Sequence, residues 1–394
     1  MLNDLSVTNF KSLKDISLRL GPRNVLVGPN MSGKSNLISV FRFLRRMVLS
    51  SPGTYGLPTA ITAEGGFDQL AWRGGNSDLI TISLTGNFPA VEAENPRDWQ
   101  YRLEIVGDRQ RGSIRVQEET LRSSPPGGIT ELIRKDPGSG RRVLMHPSRG
   151  AISEIQDSDR SALEFEIPDW PGNQLRLMFA STLFYKLIPQ VMRQANPVGA
   201  PAHLDESGAN LSSWLMMLQT RHQDQFFRIS SAVSDVLPDV ARLFTWPTPQ
   251  STVFLAANER SLASPVGVSE MSDGELCFIA LLSLVFSPEQ YGAPLLCIEE
   301  PENFLHPKLL HALVDLANQR RRELGEARSA QVIVTTHSPQ LLDRLQLEDV
   351  IVVDRRDGAT QLSRPKDKPD LRELLSREEL GLGDLFYSGA LGRD

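Results

Sequence analysis

The sequence predicts an α/β fold: a buried parallel sheet that carries the chemistry, an antiparallel β lobe and a short helical insertion. Three observations predict it. The first is an apolar strand candidate, Asn24-Val25-Leu26-Val27, that runs into Gly28-Pro29-Asn30-Met31-Ser32-Gly33-Lys34-Ser35 and then into a helical pattern of Leu37, Ile38, Phe41 and Leu44. The second is Leu295-Leu296-Cys297-Ile298, apolar at every position, as expected of a strand covered on both faces. The third is a run of alternating segments between 78 and 167, punctuated by Ser124-Pro125-Pro126-Gly127-Gly128 and Asp136-Pro137-Gly138-Ser139-Gly140, which reads as an antiparallel layer.

In chain order, Leu5-Ser6-Val7 and Ile16-Ser17-Leu18 predict two strands around Asn9-Phe10-Lys11-Ser12. The segment Ser51 to Pro58 reads as a loop by composition. Strand candidates follow at 78–86, 99–106, 113–121 and 141–146. After Pro171 the spacing turns helical, over 176–193 and again over 210–243, where Leu211, Trp214, Leu215 and Leu218 share a face. The helical part is short and has no sustained heptads, so no long coiled-coil arm is expected. Strands at 251–257, 295–298, 331–335 and 350–353 alternate with helices at 272–286 and 307–322.

Composition narrows the class. Apolar residues make up 40% and charged residues 23%, which suits a globular chain, and the longest apolar run, Phe278 to Phe286, is too short to span a bilayer. The N-terminus lacks a basic-then-apolar signal pattern, and Cys277 and Cys297 both sit in apolar runs. Buried thiols in a reducing compartment, hence the cytoplasm and no membrane partner, are the expectation. Net charge is −6, yet residues 1–50 carry eight Lys/Arg against Asp4 and Asp15, a local +6 that leaves −12 for the rest. That basic segment suits phosphate binding, although Arg42, Arg45 and Arg46 fit an ordinary charged helix face equally well.

The strand–GxxxxGKS–helix stretch is a phosphate-binding loop in its required context. Its glycines let backbone N–H groups converge on an anion, and the helix N-terminus adds its dipole. Lys34 would reach the terminal phosphates and Ser35 would ligate Mg²⁺; a glycine turn that fits the pattern by chance is the bland alternative. Glu299 and Glu300 stand at the carboxyl end of a buried strand, where open α/β sheets hold ligands. Glu299 falls at the metal position and Glu300 at the position that orients water. Adjacent residues of an extended strand point opposite ways, so only the strand's end lets both serve one site. Ser272-Asp273-Gly274-Glu275 opens a helix and reads either as an anion site or as a plain N-cap. Val332 to Thr336 delivers His337, either structural or functional; its place after a buried strand points to function.

These motifs in this order resemble an ATPase of the ABC superfamily, in the branch with RecF, SMC proteins and OLD nucleases, and most closely the compact OLD-like ATPases. The match rests on Asn9-Phe10-Lys11-Ser12, the phosphate loop with Asn36, Ser272 to Glu275, Glu299-Glu300-Pro301-Glu302-Asn303 with His306-Pro307, Thr335 to Pro339, and the terminal Gly383-Asp384-Leu385-Phe386-Tyr387-Ser388-Gly389. The resemblance implies an ABC/RecF-like head divided as 1–77, a β lobe at 78–167, a helical lid at 168–250, the second part of the head at 251–360 and a tail at 361–394. It implies ATP and Mg²⁺ clamped between two copies. Asn30, Ser32, Gly33, Lys34, Ser35 and Asn36 of one copy would hold phosphates, and Ser272 and Gly274 of the other would reach the γ-phosphate. Glu300 would polarise water and His337 would contact the γ-phosphate. Phe10 and Lys11 would lie near the adenine, and Gln69 would be the Q-loop ligand near the metal.

Departures from the pattern are informative. Met31 stands where relatives carry a third glycine, Glu299 replaces an aspartate, and Asp273-Gly274-Glu275 differs from the transporter Gly-Gly-Gln. OLD nucleases continue into a metal-binding Toprim domain with a Glu and an Asp-x-Asp pair. Asp354-Arg355-Arg356-Asp357 has the wrong spacing for that pair and reads as a turn, so no nuclease site is expected here. The leading expectation is an ATP-driven homodimer, or a larger assembly of such dimers, that controls a separate nuclease-type effector in prokaryotic DNA processing or antiviral defence. A RecF-like ATPase that binds DNA itself, or a nucleotide-responsive scaffold with little turnover, are the alternatives.

Overall fold

Alternation of apolar and polar residues decides the first sheet. In the computed structural model, which describes all residues except 50–55, 89–96, 110–111, 125–127, 326–327, 368–380, 390 and 392–394, the chain starts with a hairpin of β1 (Leu2–Phe10) and β2 (Leu13–Arg19). It continues through β3 (Arg23–Val27), α1 (Lys34–Val48), α2 (Gly56–Ala63) and α3 (Phe67–Leu70). Then come β4 (Leu79–Phe88), β5 (Arg97–Gly107), β6 (Ile114–Ser124), β7 (Thr130–Lys135), β8 (Arg142–His146) and β9 (Gly150–Ile155). These strands form one antiparallel sheet in the order β2-β1-β4-β5-β6-β7-β8-β9. The layer therefore extends outside 78–167 and takes its first two strands from before residue 20. The loop reading at Gly56 to Pro58 is corrected: these residues begin α2, and a proline in a first turn has no N–H to leave unpaired. Residues 51–55 of that reading lie outside the described residues, as does half of the tail.

The second half contains α4 (Asn173–Ala180), β10 (Leu183–Tyr185), α5 (Pro189–Met192), β11 (Asn196–Pro197), α6 (Leu211–Arg221), α7 (Gln223–Val236), β12 (Val240–Pro247), β13 (Thr252–Glu259) and β14 (Val266–Gly267). It ends with α8 (Asp273–Val285), β15 (Leu295–Glu299), α9 (Pro307–Leu324), β16 (Gln331–Thr336), α10 (Pro339–Leu342), β17 (Val350–Arg356), β18 (Ala359–Ser363) and α11 (Leu382–Tyr387). A second sheet runs β10-β15-β16-β3-β17-β18, parallel except for the terminal hairpin.

Three further readings are corrected. Leu183 to Tyr185, inside the expected helix 176–193, is the edge strand beside β15. Residues 240–243, expected to be helical, begin β12, which pairs with β13 in a third sheet. Asp354 to Arg356 continue β17, and the turn falls one residue later, at Asp357 with φ 51.

The cores follow the sheets. One apolar cluster fills the space between the antiparallel sheet, α1 and one face of the parallel sheet, around Phe43, Trp99 and Trp170. A second gathers α6, α7, α8 and α9 against the third sheet, with the Trp214 indole N–H donating to Ser283 Oγ at 3.1 Å. The helical insertion thus shares this core with α8 and α9 of the head. Gln331, at the start of β16, joins the sheets: its side chain accepts from Leu2 N at 2.9 Å and donates to Leu2 O and Gly21 O, each at 2.8 Å. Among the described residues no helix is long and apolar enough to cross a membrane.

Candidate active site

The phosphate loop is a close fit between β3 and the β17–β18 hairpin. A Cβ at position 28 would meet the Val353 carbonyl oxygen at 2.0 Å, so glycine is obligatory there. Gly33 has φ +110, and a Cβ there would meet Thr360 Oγ1 at 2.0 Å. Thr360 braces the loop from behind: its hydroxyl donates to Ser32 O at 2.9 Å and lies 2.7 Å from Ser12 Oγ, which also accepts from Asn36 Nδ2 at 2.6 Å. Arg355 donates to Met31 O at 3.3 Å. Met31 is left-handed at φ 66, the conformation that favours glycine, and its side chain is 82% exposed. Asn30 is exposed beside it, and Ser32 Oγ is buried without a partner.

Lys34 is buried, and its ammonium donates to the carbonyls of Gly28 at 2.7 Å and Pro29 at 2.9 Å. Burial lowers its pKa; Glu300 and Glu302 act in the opposite sense. Two backbone carbonyls are modest partners for a cation, and phosphate oxygens would be stronger ones.

The acidic side of the site comes from strand register. Glu299 on β15 lies opposite Thr335 on β16, which lies opposite Leu26 on β3, so the three strands end side by side. Ser35 Oγ donates to Glu299 Oε2 at 3.1 Å. A hydroxyl and a carboxylate at this distance are hard oxygen donors that fit Mg²⁺. Glu300 then leaves the strand in a left-handed conformation, φ 48. That turn is how two successive acids serve one edge. Its amide donates to Thr335 O at 2.9 Å, and Asn303 Nδ2 donates to Glu300 Oε2 at 2.9 Å. His337 follows β16, with Nδ1 3.9 Å from Glu300 Oε1 and 3.5 Å from Glu302 Oε1. The structure thus brings Lys34, Ser35, Glu299, Glu300 and His337 to one sheet edge.

Ser272 caps α8. Its hydroxyl accepts from Glu275 N at 3.2 Å while Glu275 Oε2 accepts from Ser272 N at 2.7 Å, a capping box. The plain-cap reading therefore accounts for its contacts within this chain, yet Ser272 is exposed at the surface. Among the described residues no hydrogen bond joins Ser272 or Gly274 to the phosphate loop. A Cβ at 274 would come within 2.9 Å of Phe304 O, so the helix start rests on the loop that follows Glu300.

Two expectations find less support. The Phe10 ring is fully buried and packs edge-on against Phe43, 5.8 Å between centroids. The expected place of Phe10 near the adenine therefore does not involve an exposed ring face. Lys11 is partly exposed and pairs with Glu64 at 2.6 Å and Ser39 Oγ at 3.1 Å. Gln69 is exposed on α3, with no hydrogen bond to Ser35 or Glu299 among the described residues.

Sequence reasoning missed Arg42 and Glu206. Arg42, one of the basic residues open to two readings, donates to Glu299 Oε1 at 3.3 Å, pairs with Glu206 and covers the Phe184 ring at 4.7 Å. Its position two turns along α1 from Ser35 was a usable signal; Glu206 carried none.

A family model described as AAA domain, putative AbiEii toxin, Type IV TA system matches residues 23–343. The Old nuclease of Escherichia phage P2 is 22% identical over 406 aligned positions, covering 98% of this chain and 64% of its own length. The OLD nuclease of Thermus scotoductus is 22% identical over 396 positions, covering 97% of this chain and 68% of its own. The chain thus spans about two thirds of these curated relatives. Among solved structures, an Smc head bound to the C-terminal winged-helix domain of ScpA superposes with a TM-score of 0.53 at 15% identity, covering 92% of this chain and 96% of that one. A Pyrococcus furiosus Smc head with an extended coiled coil, bound to the C-terminal domain of ScpA, gives 0.50 at 13%, covering 95% and 99%. At these identities the likeness carries the fold, that of an SMC-type ATPase head.

Proposed function

We propose that this chain, which belongs to the AAA domain family matched over residues 23–343, is an ATP-hydrolysing switch subunit whose two copies close head to head around ATP–Mg²⁺ and so control a separate nuclease-type effector. That it is an ATPase of the OLD- and SMC-like kind follows from the family and the fold. The observation that carries the rest is the Ser35–Glu299 contact at the carboxyl edge, with Lys34 buried beside it and Ser272 held at the surface.

ATP with Mg²⁺ supplies the phosphoanhydride to be cleaved and the charge that neutralises its oxygens. The residues divide the remaining work. Lys34 exchanges its two carbonyl partners for phosphate oxygens, while Asn30, Ser32, Gly33 and Asn36 shape the cradle. Ser35 and Glu299 hold the metal. Glu300, kept in place by Asn303, accepts the proton of the attacking water. His337 meets the γ-phosphate. Ser272 and Gly274 of a second copy complete the enclosure, because within one chain the cap is satisfied locally and faces solvent.

The nuclease-type effector rests on the curated relatives, both named nucleases and both longer than the part this chain spans. A role in DNA processing or antiviral defence is the context that fits such a pair. The test of the switch is the solution mass of Glu300→Gln with and without ATP–Mg²⁺. Doubling with ATP is expected; a monomer at saturating ATP overturns the clamp. Purification from the native host tests the effector: a co-purifying nuclease supports it. Salt-dependent DNA binding by this chain alone would favour the RecF-like alternative.

A further inference from the structure

Two carboxylates face His337, and the structure treats them differently. Glu300 is 28% exposed and takes the Asn303 amide. Glu302 is 8% exposed, and its Oε1 accepts from Thr336 Oγ1 at 2.7 Å and from the His337 backbone N–H at 3.0 Å. Its other oxygen, Oε2, is buried and has no partner. A buried, unpaired carboxylate oxygen is costly, and the imidazole of His337 is a donor close to this carboxylate, its Nδ1 3.5 Å from Oε1.

We infer that Glu302 is the positioning residue of His337, holding the imidazole by Nδ1 so that Nε2 is the atom presented to the nucleotide. The inference rests on the reading of His337 as the γ-phosphate contact. Glu302 is unsuited to activate water itself, since it is enclosed and already engaged by the end of β16. Its geometry suits orientation: two donors fix the carboxylate, and a modest rotation of the ring seats Nδ1–H on it. A neutral ring with its proton on Nδ1 offers only a lone pair at Nε2, which a phosphate oxygen would repel. To donate to phosphate through Nε2 while Nδ1–H rests on Glu302, the ring carries a proton on each nitrogen. Loss of one charge-assisted hydrogen bond commonly matters by roughly tenfold to a hundredfold.

The experiment measures ATP turnover of His337→Ala, Glu302→Gln and the double variant, each at saturating ATP and across neutral pH. Glu302→Gln keeps an acceptor for Thr336 and the His337 amide but removes the charge. The expected result is a kcat about tenfold lower with KM for ATP little changed. In the His337→Ala background the same change should cost nothing further, because it acts through a ring no longer present. If His337→Ala is slow but Glu302→Gln keeps the wild-type kcat, or the two losses multiply in full, the positioning role is overturned. If His337→Ala turns over like the wild type, the parent reading of His337 fails instead, and the inference with it. Should Glu302→Gln not fold, Glu302→Asp, which keeps charge and shortens reach, is read by the same comparison.

Discussion

The phosphate loop and the start of α8 are both glycine-containing approaches to a helix N-terminus, yet the chain finishes one and leaves the other open. Around the phosphate loop, polar groups from the β1–β2 turn, α1, the end of β15 and the β17–β18 hairpin converge: Thr360, Ser12 and Asn36 behind, Glu299 and Glu300 in front. At the start of α8 the Ser272 hydroxyl is engaged, among the described residues, by its own capping box, and the residue faces solvent. A cradle preorganised by long-range contacts can bind a phosphate without help. A cap satisfied by its own first turn can wait for a second molecule at little cost. The difference teaches where a monomer's competence should end: at binding.

The sharpest way to break this comparison is Glu300→Gln. Removing the base should lower kcat by roughly 10²–10⁴-fold while leaving ATP binding intact, read by single-turnover hydrolysis beside a binding titration. Turnover equal to wild type would remove Glu300 from its role. Lys34→Ala should weaken ATP binding by on the order of a hundredfold, since it deletes charge-assisted contacts of about 1.5–3 kcal/mol each. Calorimetry with ATP–Mg²⁺ reads this directly. Ser272→Arg sharpens the contrast: ATP affinity of the monomer should stay within a few-fold of wild type, while turnover and ATP-dependent dimerisation are lost. Equal losses in binding and turnover would mean that α8 serves the cradle of its own chain.

Smaller effects probe the brace. Thr360→Val removes the hydroxyl that supports Ser32 O and Ser12, and should lower unfolding stability by about 1–3 kcal/mol in denaturant titration. The smallest change concerns the thiols. Burial pushes the Cys277 thiol up to about 12 and raises Cys297 further. Neither should react with an alkylating agent near neutral pH until the protein is unfolded, as mass spectrometry would show.

How much of this was legible in the sequence depends on range. The phosphate loop, the acidic strand end and the histidine strand are each continuous in sequence, and the structure sets the ends of their three strands side by side. The three-residue strand Leu183 to Tyr185 was hidden because three apolar residues carry no period that distinguishes helix from strand. Helix α2 was hidden because Gly56 and Pro58 read as loop punctuation. Phe10 sits in a motif beside an exposed lysine, and nothing local revealed that its ring turns inward to Phe43. Arg42 reaches a residue 257 positions away and Glu302 one 35 away, and contacts of that kind follow from topology. The left-handed backbone at Glu300 is likewise a property of the loop, although it is what lets neighbouring acids share an edge.

The side chain of Gln331 gives the N-terminus an importance that residue counts would hide. A protein trimmed to start at residue 23, where the family match begins, would retain the phosphate loop, Glu299, Glu300 and His337 but lose Ser12 from the brace behind the loop. It would also lose β1 and β2, uncover the edge of β4 and strand the amide that ties Leu2 and Gly21 to β16. Such a fragment should precipitate or self-associate through that bare edge, so the first twenty-two residues belong to the smallest piece worth expressing.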